Sequence, residues 1–170
     1  MGDDLQREMF HTQEKRNKDL RAPVKCTRSD AWLGDGYYFW DDEIDALKWG
    51  HSSKKRTGRF QVYRADINCK NVLNTVFNEE HYRFWVKQVE KAAKHILRKT
   101  SIKPTIKDIN DYFKERALWD EVDGIMFQDL PSNENFLSVK ALYYKKRIQL
   151  AVYNLEIISN FCLYKEENCL

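Results

Sequence analysis

Glycine and proline are scarce in this chain, six and three in 170 residues. So few flexible joints exclude a linker or a low-complexity array. No shift in composition marks a second domain, so one domain is expected over residues 1–170. The four cysteines, Cys26, Cys69, Cys162 and Cys169, include no Cys-x-x-Cys pair and imply free thiols rather than a disulfide scaffold. His11, His51, His81 and His95 lack metal-ligand spacing, so no metal site is expected. No apolar run approaches the roughly 20 residues of a membrane span. Met1 to Lys18 is charged throughout and lacks the apolar segment of a secretory leader. The expected location is therefore the cytoplasm, with no membrane partner. A net charge of +3 permits a phosphate-bearing ligand without demanding nucleic acid.

What is present is enough apolar content, 42%, to build a core at this length. Leu5 to Phe10 reads as a first strand ending at His11-Thr12. Gln13 to Arg21 reads as a loop or a polar helix. Arg59 to Ile67 alternates apolar and polar residues, the pattern of a half-buried strand, and Val72-Leu73 continues it after a turn. Glu79 to Lys99 is the clearest helix, with Tyr82, Trp85, Val86, Val89, Ala93, Ile96 and Leu97 at helical spacing. Lys87, Lys91, Lys94 and Arg98 share another face. Such a face is ordinarily solvated; the alternative is contact with the phosphates of a nucleic acid or a dinucleotide. Thr105 reads as an N-cap with Asp108 in a capping-box place, opening a second helix that ends near Trp119. Asp123-Gly124 turns into an apolar strand that Leu130-Pro131-Ser132-Asn133 breaks. Glu134 to Lys145 crosses to a last, buried strand from Arg147 to Asn154.

The stretch with the most chemical content is Leu33-Gly34-Asp35-Gly36-Tyr37-Tyr38-Phe39-Trp40, followed by Asp41 to Trp49. Two glycines one residue apart permit a tight turn and a close backbone approach. The aromatic run suits a strand. Asp41 or Asp42 can cap a short helix carrying Ile44, Ala46 and Leu47 inward and ending near Gly50. On pattern alone the aromatics read as core, and Gly-x-Gly by itself is weak evidence for a ligand. The third glycine and the βαβ context of a Rossmann domain are missing.

This stretch resembles the second motif of ADP-ribosyltransferases of the poly(ADP-ribose) polymerase-like, His-Tyr-Glu type. Two further stretches match in order. His11-Thr12 resembles the first motif, with Thr12 where a glycine often stands. Gln149-Leu150-Ala151-Val152-Tyr153-Asn154 resembles the third, with Gln149 at the place of the family's glutamate. The resemblance implies an α+β fold, split antiparallel β-sheets around an NAD cleft flanked by helices. It implies NAD as substrate, with Tyr38 and Trp49 holding the nicotinamide ring, Gly36 in the binding turn, His11 and Thr12 placing the dinucleotide, and Gln149 at the reacting ribose. By the same resemblance the activity is mono-ADP-ribosyl transfer to a protein or nucleic-acid acceptor. The chain looks like a small bacterial toxin or defence effector, for which an inhibitory antitoxin is a partner. Gln149 lacks a negative charge, so a weakly active or inactive NAD- or ADP-ribose-binding module and an NAD glycohydrolase are the alternatives.

Overall fold

A computed structural model describes residues 5–129 and 146–170. The order is β1 (Gln6–Glu14), β2 (Tyr37–Trp40), α1 (Glu43–Ser53), β3 (Arg59–Asn68), β4 (Val72–Asn74), α2 (Glu79–Thr100), α3 (Ile106–Glu115), β5 (Gly124–Asp129), β6 (Arg147–Val152) and β7 (Ile158–Asn168). A single 3₁₀ turn, Leu155–Ile157, precedes β7. The strands form one mixed sheet ordered β4-β5-β6-β2-β1-β3-β7. Every pairing is antiparallel except β4 with β5.

The sheet is continuous, but its centre is thin. β1 pairs with β3 over nine positions, from Gln6↔Asn68 to Glu14↔Phe60. It meets β2 at one position, Phe10↔Trp40. Beyond that rung the two strands part. The expected two sheets are thus two halves of one sheet, β4-β5-β6-β2 and β1-β3-β7, joined at a single rung.

Side-chain alternation places the core on both faces. Met9, Phe39, Ala65, Ile67, Met126, Leu150 and Val152 pack on one face. On the other, Leu73, Ile125 and Ala151 meet Trp85 and Ala92 of α2 and Ile109 and Phe113 of α3. α1 covers Phe10, Trp40, Phe60 and Val62 through Ala46. It turns Asp45, Ala46 and Gly50 inward, leaving Ile44 exposed against expectation. Tyr82 and Leu97, expected in the apolar stripe of α2, are exposed as well. Asp42 is the N-cap of α1, its carboxylate accepting from the Ile44 N–H at 2.7 Å. α3 opens with the expected capping box between Thr105 and Asp108. It ends at Glu115 rather than near Trp119, because the chain takes a left-handed conformation at Ala117, φ 55°. β1 extends into the stretch read as a loop or helix. The expected break at Leu130–Asn133 and the crossing over Glu134–Lys145 lie outside the described residues. Among the described residues no helix is long and apolar enough to cross a membrane.

Candidate functional site

The parting of β1 and β2 opens a pocket of about 350 Å³, within the range of small-molecule sites. His11, Thr12, Tyr38, Trp49 and Gln149 all line it. They come from β1, β2, α1 and β6, segments far apart in the chain. Gly36 is not among the lining residues. Its N–H and C=O pair with Cys26, and a Cβ there would lie 2.8 Å from the Val152 carbonyl oxygen. Backbone packing against β6 by itself leaves no room for a Cβ at Gly36. Gly34, at φ +85°, supplies the turn.

His11 sits where the β1–β2 ladder fails and is only 3% exposed. One ring nitrogen, Nδ1, is 2.8 Å from the Tyr38 carbonyl oxygen. The other, Nε2, accepts from the Val24 N–H at 3.2 Å. These partners fix the proton on Nδ1. Burial lowers the imidazole pKa to about 4, so it is neutral near pH 7. Both nitrogens are engaged within the protein. His11 therefore clips the parted strands together, and it can reach a ribose hydroxyl only by giving up Val24. Thr12 points to the α1 side, its hydroxyl donating to the Ala46 carbonyl at 2.8 Å.

Tyr38 is held at its hydroxyl, which donates to the Gly34 carbonyl (2.8 Å) and accepts from the Leu33 N–H (3.0 Å). Burial pushes its pKa well above the usual phenol range, so it serves as a neutral ring wall and not as a base. Trp40 lies two residues on, hence on the same face of the strand. Its ring stands 5.9 Å from that of Trp49, tilted by 51°. The aromatic partner of Trp49 is thus Trp40.

Gln149 pairs across the ladder with Trp40 and is 8% exposed. Its Oε1 accepts from the Trp32 indole N–H at 3.0 Å. An indole N–H can only donate, so this contact settles which way the amide points. The NH₂ group, without a partner among the described residues, is what Gln149 can offer a ligand. Arg147, two residues earlier on β6, pairs with Asp129 and lies over Trp40, 5.0 Å from the ring centroid.

Lys25, Arg28 and Lys54 add positive charge to the lining. Arg28 is paired with Asp30 at 2.5 Å. Lys54 makes no ion pair among the described residues; burial, then neighbouring Arg28, lowers its pKa. The nearby Glu14 carboxylate is taken up by the Arg56 and Thr57 N–H groups and the Thr57 hydroxyl. The lining carboxylates, Asp30 and Asp129, each face an arginine. The pocket is therefore aromatic-walled, cationic and rich in donors, and among the described residues it holds no unpaired carboxylate. Such a lining suits a flat heteroaromatic ring attached to an anionic group. Among the described residues no group of three or more His, Cys, Asp or Glu side chains is placed to hold a metal ion.

Sequence reasoning did not single out Trp32 or Trp40 as site residues, whereas Lys54 belongs to the basic run Lys54-Lys55-Arg56, which reads as suited to phosphates. Trp40 was within reach, since it shares the parity of Tyr38. Trp32 is brought in by a loop with no local signal. No protein-family model, no curated protein and no solved structure matches this chain.

Proposed function

We propose that this chain is a small mono-ADP-ribosyltransferase of the split-sheet type, acting on a macromolecular acceptor as a toxin or defence effector. The observation that carries the reading is the convergence of His11, Thr12, Tyr38, Trp49 and Gln149 on one pocket. Three motifs distant in sequence meet where the two halves of the sheet part. The nicotinamide ring lies against Trp49 and the Tyr38–Trp40 wall, and the Thr12 backbone meets its carboxamide. The anionic part of NAD lies toward Lys54. The C–N bond between nicotinamide and ribose breaks, and its electron pair leaves with the neutral ring. The acceptor attacks the anomeric carbon and gives up a proton. The Gln149 amide donates to the reacting ribose. It brings no negative charge to the developing oxocarbenium ion, which costs on the order of 3 kcal/mol, or about a hundredfold in rate. Turnover is accordingly slow.

A second reading is a module that holds NAD or ADP-ribose without turnover. The Trp32–Gln149 bond favours it, because it turns a donor toward the pocket. Radiolabelled NAD added to a lysate with the purified protein separates the two. Transfer predicts label on a macromolecule, lost in Tyr38→Ala and Gln149→Ala variants whose fold is checked by circular dichroism. Protease and nuclease digestion then name the acceptor class. Free ADP-ribose without labelled macromolecule identifies NAD hydrolysis. Saturable NAD binding with no released nicotinamide identifies the binding module. No binding at all sinks the NAD reading.

A further inference from the structure

Ion pairs among the described residues hold part of the chain's cations. Arg7 faces Asp41, Lys15 faces Glu166, Lys107 faces Asp35 and Lys165 faces Glu167. A second cavity is a groove of about 570 Å³ lined from α2 and α3 and remote in sequence from the pocket at the sheet's seam. Lys91, Lys94 and Arg98 line it from α2, and Arg116 lines it from the end of α3. Among the described residues no carboxylate lines this groove. Lys91, Arg98 and Arg116 make no ion pair among the described residues, and Lys94 makes only a long, exposed one with Glu90 at 3.8 Å. The guanidinium of Arg116 sits over the ring of Tyr112, 4.7 Å from its centroid. The Nε2 atom of His95 is buried without a hydrogen-bond partner among the described residues.

Like charges gathered with few counter-charges repel one another, and an anion in the groove would relieve that repulsion. Its shape follows from the helix. Lys91 to Arg98 rises about 10 Å along α2, a reach that follows consecutive phosphates of one strand. A row of cations at this spacing fits a chain with one charge per unit. A guanidinium held over an aromatic ring is a platform on which a base can stack. A chain of carboxylates has no use for that platform.

We propose that the α2–α3 groove binds single-stranded nucleic acid, with Lys91, Lys94 and Arg98 along its phosphates and the Arg116–Tyr112 pair beneath a base. This holds whether or not the other pocket binds NAD. The test is fluorescence anisotropy of the intact protein with fluorescein-labelled twelve-nucleotide rU and dT oligomers. Binding at 50 mM salt is expected to weaken on a log–log plot with a slope of about −2, the value for three phosphate contacts on a single strand. The exposed double reversal Lys91→Glu/Arg98→Glu is expected to lose roughly tenfold or more in affinity and most of that slope. The same change in net charge at Lys70 and Arg83, outside the groove, leaves affinity within about twofold. Arg116→Lys keeps the charge, loses the plane and weakens binding severalfold. No binding by the unaltered protein at 50 mM salt, or equal binding by the groove reversal, overturns the proposal. Displacement by polyglutamate as effective as by unlabelled oligonucleotide, or no effect of Arg116→Lys, overturns nucleic acid as the occupant.

Discussion

At the scale of single residues the pocket is governed by who already holds each polar group. His11 is the clearest case. Its pKa falls from 6.5 to about 4 on folding because burial penalises the imidazolium. Above pH 6.5 both folded and unfolded chains carry it neutral. Between pH 6.5 and 4 the unfolded chain takes up a proton that the folded chain refuses, so stability falls as pH falls. The full effect is about 3 kcal/mol, of which about 2 kcal/mol lies between pH 7.5 and 5. Urea unfolding at those two pH values is expected to show the loss, and His11→Gln to make it shallower. Gln149→Glu tests the opposite property. The Trp32 N–H can donate to a carboxylate oxygen as it does to Oε1. The variant is expected to raise nicotinamide release roughly a hundredfold. A loss of turnover would instead make the amide itself the working group. Gly36→Ala sets backbone packing apart from ligand contact. Overpacking against Val152 should cost about 2 kcal/mol in a thermal melt. Ligand affinity of the folded fraction should stay unchanged.

At the scale of elements, legibility followed chemistry that is local. The capping box of α3 was readable because Thr105 and Asp108 act on each other within one turn. Thr105→Ala is expected to cost about 1 kcal/mol and lower the melting temperature by about 2–4 °C. The aromatic β2 and the strand β3 were readable for the same reason, although β3 buries Phe60, Gln61, Val62 and Tyr63 in succession instead of alternating. The eleven-residue β7 was not. It is an edge strand with no fully buried position, and its register against β3 shifts between Val62 and Tyr63 and again between Arg64 and Asp66. Each shift resets the alternation that a sequence pattern relies on. Among the site residues, His11, Tyr38 and Gln149 stood out through motif order. Trp32 did not, because its contact with Gln149 joins residues 117 positions apart.

At the scale of the whole molecule the sheet is two half-sheets sharing one rung, with the pocket beside that rung. A ligand touching His11 or Thr12 on one half and Tyr38 or Gln149 on the other would brace both. Saturating ligand at a hundred times its Kd should stabilise the protein by about 2.7 kcal/mol. Amide exchange should slow most around Phe10 and Trp40, and an even slowing across all strands would argue against bracing.

The same seam gives the molecule a direction of weakness under compression. Hydrostatic pressure destabilises folded packing, and the line of the sheet with fewest ladder positions to lose runs beside this pocket. High-pressure NMR should therefore see the amides of His11, Tyr38 and Val24 respond first and together, while the nine-position β1–β3 ladder holds. A molecule built this way yields along a seam, like slate, long before it crumbles.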